Sequence, residues 1–245
     1  MLLLAERGGD MREEQKGGKA MKRLVTALLD LLFPQKCPFC GKLTEGTAVC
    51  GTCRQALPWT VGGDILWEGP GGVRCAAPLW YQDKVREGLL HFKFQGGSAA
   101  AEPLGELVAQ CAAEELSGAF DTVTWVPVSR KRLRERGYDQ AELLARAACR
   151  LWDTEPVRLL KKTVHTPAQS GLEEAAARRA NVLGAYEVCC GAAVRDRQIL
   201  LVDDICTTGA TLAECIRVLK DAGAGAVVCA TVARTPVENA RKGAE

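Results

Sequence analysis

A pair of adjacent carboxylates and a threonine-rich loop are the residues of this chain best suited to bind a ligand. Asp203 and Asp204 follow an aliphatic run at 199–202, and the loop Thr207–Thr211 comes soon after them. Carboxylates accept hydrogen bonds from sugar hydroxyls and also suit a magnesium ion. Hydroxyl groups and free backbone N–H groups at the start of a helix can hold a phosphate. The pattern predicts a ligand that carries a ribose diol and a 5′-phosphate.

A buried strand and an amphipathic helix are the elements that must hold these residues in place. The aliphatic run at 199–202 has no polar interruption, which suits a strand covered on both faces of a parallel sheet. Beyond the loop, apolar residues recur at helical spacing: Leu212, Cys215, Ile216 and Leu219. Ligands of open α/β sheets bind outside the carboxyl ends of the strands, where this loop would lie. The alternative is an ordinary strand followed by an acidic turn and a capped helix.

The full run ILLVDDICTTGATL, residues 199–212, resembles the phosphoribosyl pyrophosphate (PRPP) signature of type I phosphoribosyltransferases. The resemblance implies that Asp203 and Asp204 are the catalytic acids that hold the ribose hydroxyls. It implies that the 5′-phosphate is wrapped by Thr207, Thr208, Gly209, Ala210 and Thr211. Purine-salvage enzymes carry an aspartate where Thr207 stands, which argues against hypoxanthine or guanine as the acceptor.

A second candidate anion site follows the predicted strand Asp121–Val128. The stretch Ser129–Gly137 holds five basic residues and one acid, a local charge of +4. One interpretation is a pyrophosphate site at the carboxyl end of this strand, and the other is a solvated basic loop. The phosphate loop predicted elsewhere in the chain favours the first. Its pyrophosphate-binding residues are Ser129, Arg130, Lys131 and Arg132.

Four cysteines near the start of the chain have the spacing of a metal site. Cys37 and Cys40 form one C-x2-C knuckle, and Cys50 and Cys53 form another after nine intervening residues. Two knuckles can place four thiolates tetrahedrally around one Zn²⁺, with no position left open for catalysis, so the zinc would be structural. Two disulfides, redox thiols or an iron–sulfur cluster are the alternatives. The remaining eight of twelve cysteines have no disulfide-like spacing, which favours a reducing cytoplasm.

Composition and segment boundaries indicate a globular α/β protein with a small metal module. The chain has 245 residues, a formal charge of +2 and 47% hydrophobic residues, and no stretch reaches the roughly 20 apolar residues of a membrane span. Alternating strands and helices from residue 121 predict a parallel sheet flanked by helices. The predicted segments are a disordered extension (1–20), an amphipathic helix (21–35), a zinc ribbon (36–59), a glycine-rich linker (60–76), a phosphoribosyltransferase-like domain (77–237) and a flexible tail (238–245).

The long connection at 163–185 has no strong apolar face before Val182, and long loops of this type are often lids. In it lie Gln169, Arg178 and Asn181, which we assign to the predicted lid. We expect the lid to exclude water, because hydrolysis competes with transfer.

Several motifs in one order resemble the ComF family, of the ComFC and GntX type, over about residues 21–237. They are CPFCG…CGTC, YQDKVREGLLHFKFQG, VPVSRKRLRERGYDQAELLA, TPAQSGL…RRANVLGAY and the PRPP signature. The resemblance implies a link to natural transformation and DNA uptake, with single-stranded DNA and competence-machinery proteins as partners. In the lid, this family usually shows a Gln followed by an Arg-x-x-Asn element, which Gln169, Arg178 and Asn181 resemble at a spacing about one residue longer. The resemblance does not settle which reaction, if any, is catalysed.

Two functions follow as hypotheses. The first is a phosphoribosyltransferase with an unidentified acceptor, in which Mg²⁺ bridges PRPP oxygens and the basic stretch takes up the charge of departing pyrophosphate. The second is a non-catalytic module for single-stranded DNA, regulated by PRPP or a nucleotide. In that case basic residues would contact phosphates, and Trp59 or Trp67 would stack on bases.

Overall fold

The computed structural model describes residues 35–44, 46–94, 97–163 and 182–236. The predicted extension (1–20) and tail (238–245) lie outside the described residues, as does all but the last residue of the predicted helix 21–35. Within the described ranges, no helix combines the length and apolar character needed to cross a membrane.

Six of the eight strands form one mixed sheet. The strands are β1 (Leu66–Gly69), β2 (Val73–Ala76), β3 (Leu79–Trp80), β4 (Thr122–Trp125), β5 (Leu160–Lys162), β6 (Tyr186–Val188), β7 (Gln198–Cys206) and β8 (Ala226–Arg234). The sheet order is β1-β2-β8-β7-β4, and β3 also pairs with β8. All neighbours except the pair β1 and β2 run parallel. The predicted parallel sheet is confirmed.

Helices α3 and α5 cover one face of this sheet and α6 covers the other. The described helices are α1 (Gly51–Ala56), α2 (Asp83–Phe94), α3 (Ala101–Glu115), α4 (Arg130–Arg136), α5 (Gln140–Leu151) and α6 (Ala210–Asp221). Alternate residues of the buried strand β7 divide between two cores, as strand geometry requires. Leu200 and Val202 pack with α3 and α5. Ile199 and Leu201 pack with α6.

The stretch 60–76 differs from the predicted linker, since it holds the hairpin β1–β2 at the edge of the sheet. Cys75 and Ala76 pair with β8 and are fully buried. The glycines that suggest a linker serve the turn instead, because Gly71 and Gly72 both have φ near +74° (73° and 74°), which suits glycine. Turn residues between two short strands therefore resemble a linker in sequence.

Two further elements differ from expectation. The basic stretch after β4 is not a loop but the helix α4, whose N-cap Ser129 Oγ accepts a hydrogen bond from the Arg132 N–H at 3.3 Å. The strand β5 is not part of the parallel sheet, although the alternation of strands and helices after residue 121 predicts parallel strands. It pairs with β6 in a separate antiparallel hairpin.

The cysteine-rich module shares a core with the sheet domain. Phe39, Cys53 and Leu57 belong to the same buried cluster as Leu89 and Phe92 of α2. The contact is close, because a Cβ built on Gly88 would lie 2.8 Å from the Pro38 carbonyl oxygen. The module is therefore packed against α2 rather than tethered beside it.

Candidate functional site

A polar cavity of about 690 Å³ lies at the carboxyl ends of β4 and β7. Asp203 and Asp204 line it from β7, and three hydroxyls line it from the following loop, those of Thr207, Thr208 and Thr211. Parallel neighbours end at the same edge of a sheet, so residues after β4 reach the same cavity. The structure thus brings the predicted acids and threonines together.

The two acids lie within the last part of β7 rather than after it. Asp203 Oδ1 accepts a hydrogen bond from the Asp204 N–H at 2.8 Å. Burial, and then the negative charge of Asp204, raise the pKa of Asp203 well above its usual range. The pair is therefore a site that favours a bound cation or hydroxyl donors.

Lys93, at the end of α2, is a residue of the site that the sequence patterns did not single out. Its Nζ lies 3.0 Å from Asp204 Oδ2. The positive charge of Lys93 also lowers the pKa of Asp203, opposing the effect of burial. Lys93 belongs to the HFKFQG part of the ComF resemblance, but no local pattern indicates that it faces the acids.

The loop Thr207–Thr211 contains the left-handed N-cap of α6. Gly209 has φ of 73° and precedes α6, and the Ala210 N–H donates to Thr208 Oγ1 at 3.4 Å. The ring of Trp67 lies beneath this turn, 2.8 Å from where a Cβ on Gly209 would be. Gly209 and Ala210 themselves line a neighbouring cavity of about 460 Å³. The threonine side chains face the polar cavity.

Of the four residues predicted to bind pyrophosphate, only Arg132 lines the cavity. Ser129 is buried as the N-cap of α4, and Arg130 and Lys131 are exposed on its outer side. The reason is helical geometry, since residues four apart share a face. Arg136, four residues after Arg132, therefore lines the cavity as well. Its Nη1 donates to Gln140 Oε1 at 2.9 Å.

The hairpin β5–β6 adds a lysine and a tyrosine to the cavity wall. Lys162 Nζ donates to the Tyr186 hydroxyl at 3.2 Å and lies 4.9 Å from the centre of its ring. Burial, followed by the charge of Arg132, lowers the pKa of Lys162. Burial raises the pKa of Tyr186. Together with Arg86, these side chains make the cavity rich in cations facing two acids.

The predicted lid residues Gln169, Arg178 and Asn181 lie outside the described residues. Where the chain is described again, Val182 lines the polar cavity. Nearby, the Gly184 N–H donates to Glu214 Oε1 at 2.8 Å, which ties this end of the connection to α6.

The four N-terminal cysteines form a metal-binding cluster. All four Sγ atoms, those of Cys37, Cys40, Cys50 and Cys53, lie within 4.8 Å of one another. Zn–S bonds of about 2.3 Å in a tetrahedron place sulfurs roughly 3.8 Å apart, so the cluster fits zinc. The Cys53 backbone N–H lowers the pKa of the Cys50 thiol to about 7, whereas burial raises the pKa of the Cys53 thiol. The predicted zinc ribbon is confirmed, with no fifth described ligand in the cluster.

Neither tryptophan proposed for base stacking presents a free ring. Trp59 is half-buried, and its Nε1 donates to the Arg54 carbonyl oxygen at 2.7 Å. Trp67 packs over Gly69 and under Gly209. Both rings take part in packing and are half-buried, so base stacking by these tryptophans stays a prediction.

Two family models match the chain. A double zinc ribbon domain matches residues 28–85. A phosphoribosyl transferase domain matches residues 145–244. The first contains the cysteine cluster, and the second contains the acids and the threonine loop.

Curated relatives share both parts. The chain is 28% identical over 208 residues to DNA utilization protein YhgH of Escherichia coli, covering 81% of this chain and 84% of that protein. It is 28% identical to Competence protein F of Haemophilus influenzae, covering 76% and 85%. It is 25% identical to Competence protein ComFC of Bacillus subtilis, covering 78% and 74%.

Proposed function

Because the chain belongs to the ComF family, with a zinc ribbon joined to a phosphoribosyl transferase domain, we propose that it binds PRPP in the polar cavity. One observation carries the proposal. A single cavity of about 690 Å³ combines paired acids, a threonine loop at a helix start and the arginine pair of α4. These are the chemistries that a ribose diol, a 5′-phosphate and a pyrophosphate require.

Each part of PRPP has a proposed set of partners. Asp203 and Asp204 accept hydrogen bonds from the ribose hydroxyls. The loop Thr207–Thr211 holds the 5′-phosphate through hydroxyls and the N–H groups that begin α6. Arg132, with Arg136 in place of Arg130 and Lys131, holds the pyrophosphate, since these two arginines face the cavity.

The proposed reaction is transfer of the phosphoribosyl group to an acceptor. The bond between C1 and the pyrophosphate oxygen breaks, pyrophosphate leaves with the bonding electrons, and an acceptor atom forms the new bond to C1. Mg²⁺ bound with PRPP would neutralise charge on the pyrophosphate. The acids hold the ribose while positive charge develops on C1, and Arg132 stabilises negative charge on the leaving group. Gln169, Arg178 and Asn181 are proposed to exclude water.

Titration calorimetry with PRPP and Mg²⁺ tests the site. We expect Asp203→Asn and Asp204→Asn each to abolish measurable binding, because an amide accepts fewer hydrogen bonds and carries no charge. Asp153→Asn is the matched control, since Asp153 is exposed and does not line the cavity. Wild-type affinity in the Asp203 and Asp204 variants would refute the site. In a separate assay, release of pyrophosphate by the wild type on addition of candidate acceptors would identify an enzyme.

A second candidate is the non-catalytic module for single-stranded DNA. Arg130, Lys131 and Arg134 are exposed on the outer side of α4, away from the cavity lining, and could contact nucleic-acid phosphates. The names of the relatives refer to competence and DNA utilization. Replacing these three residues by glutamine should lower affinity for an oligo-dT strand and flatten its salt dependence, with PRPP binding unchanged. Equal salt slopes would refute this candidate.

We also propose that the protein works in the cytoplasm with competence-machinery proteins as partners. Its twelve cysteines form no disulfide, which fits a reducing compartment.

Structural zinc is the expected resident metal, because all four cluster ligands come from the protein.

A further inference from the structure

The acid pair receives a lysine from a position that neither family model covers. Lys93 lies between the matched ranges 28–85 and 145–244. Its Nζ is 3.0 Å from Asp204 Oδ2, and the two side chains are 22% and 10% exposed. An ion pair this sheltered is screened less by solvent than a surface pair, so it can fix the position of the carboxylate.

The backbone that carries Lys93 is fixed from two directions. The Tyr138 hydroxyl donates a hydrogen bond to the Phe92 carbonyl oxygen. Gln140 Nε2 donates to the Lys93 carbonyl oxygen at 3.4 Å. Since Tyr138 and Gln140 lie just after α4, the same junction holds both the lysine and the cavity-facing Arg136.

The other side of α2 is held by the zinc ribbon. A Cβ on Gly88 would lie 2.8 Å from the Pro38 carbonyl oxygen and 2.9 Å from Phe39 Cδ1. Phe92, next to Lys93, is fully buried in the core that α2 shares with the ribbon. The helix therefore packs against the ribbon at Gly88, in its middle, and forms an ion pair with Asp204 through Lys93, near its C-terminal end.

We propose that Lys93 is a positioning residue of the ribose site, holding Asp204 in the orientation that accepts the ribose hydroxyls. The inference rests on the proposed PRPP function and adds a residue that lies outside the matched transferase range 145–244. The positive charge of Lys93 pairs with Asp204 at 3.0 Å and holds its carboxylate toward the cavity. Through α2, the zinc ribbon becomes part of the support of this site.

Calorimetric titration of the full chain with PRPP and Mg²⁺ tests the assignment. We expect Lys93→Met to weaken PRPP binding about 10–100-fold, the usual effect of removing a residue that orients a ligand-binding group. Lys93→Arg should restore most of the affinity, because it keeps the charge. Lys84→Met, on the exposed side of the same helix, is the matched control and should bind as the wild type does.

Pyrophosphate alone distinguishes positioning of the ribose site from general damage. Pyrophosphate carries no ribose hydroxyls, so its affinity should be unchanged in Lys93→Met. Equal loss of PRPP and pyrophosphate affinity would overturn the inference, as would wild-type PRPP affinity in Lys93→Met.

A thermal-unfolding cycle of Lys93→Met, Asp204→Asn and the double variant separates this inference from the proposed function. Non-additive shifts in melting temperature would support the hold of Lys93 on Asp204, and additive shifts would overturn it. Failure of the wild type to bind PRPP would refute the proposed function, while this cycle would still decide the role of Lys93.

Discussion

Substituting Gly88 by alanine tests whether the zinc ribbon packs on α2 in solution. Gly88 lies inside this helix and is buried. In a helix with free space around it, alanine would stabilise the protein by about 1 kcal/mol relative to glycine. Here the added Cβ would come within 2.8 Å of the Pro38 carbonyl oxygen and 2.9 Å of the Phe39 ring. The helix preference and the packing therefore predict opposite signs.

The packing effect should be the larger. Contacts under 3.0 Å require a neighbour to move, and one of the two neighbours is backbone. Overpacking of this kind costs about 1–3 kcal/mol, so after the helix gain we expect net destabilisation of roughly 1 kcal/mol. Phe39 can relieve part of the strain by rotating, but it is buried against the same core.

Urea unfolding of wild type and Gly88→Ala, each with zinc and after chelation, measures this effect. With zinc, the midpoint should fall at an unchanged slope. After chelation, the ribbon loses its fold and the same substitution should become neutral or stabilising. Glu87→Ala, at the exposed neighbouring position, is the control. Stabilisation by Gly88→Ala in the zinc-bound protein would refute the docking of the ribbon on α2.

Two further predictions concern the loops around the cavity. Burial raises the pKa of Asp139 to about 6, so the folded state holds this proton more tightly than the unfolded state. The free energy of unfolding should therefore fall as the pH rises from about 4 to about 6, by at most ~3 kcal/mol. Unfolding across this range should show a smaller fall in Asp139→Asn, and identical pH slopes would contradict the assignment. Gly209→Ala should lower both stability, by at least ~1 kcal/mol, and PRPP affinity, because φ is 73° and the Trp67 ring leaves no space. Gly184 has a similar φ of 71°, and a Cβ there would meet open space, so Gly184→Ala measures the backbone effect alone. Equal losses of stability in the two variants would show that Trp67 does not support the loop.

Local chemistry was enough to predict the cysteine cluster and the buried strand that carries the acid pair. The spacing of the four cysteines indicates a tetrahedral cluster because each knuckle places its two sulfurs on one turn. The aliphatic run before Asp203 indicates a doubly covered strand, and its residues Ile199–Val202 are fully buried. In each case, all the residues needed for the inference are close together in the sequence.

Lys93 is a residue of the site that no local pattern indicates, because tertiary structure brings it to the acids. Lys93 reaches Asp204 only because α2 packs against the sheet between the ribbon and α5. Arg136 was missed for a different reason. Treated as a loop, the basic stretch has no periodicity, but once it is helical its position four residues after Arg132 puts both on one face. The hairpin β1–β2 was hidden because the glycines of its turn dominate the composition.

Strand alternation explains why adjacent acids have different surroundings. Successive residues of β7 point to opposite faces of the sheet. Asp204 follows Leu200 and Val202 toward the face that α2 covers, and there it meets Lys93. Asp203 follows the other face, toward Tyr186 and Cys215 on the α6 side, where burial and then nearby groups that include Asp203 raise the pKa of both residues. The acid pair therefore joins the two halves of the site: Asp204 is tied to the helix that contacts the ribbon, and Asp203 lies on the side of the hairpin β5–β6. A substitution on α2 should consequently change the affinity for PRPP through Asp204 rather than through Asp203.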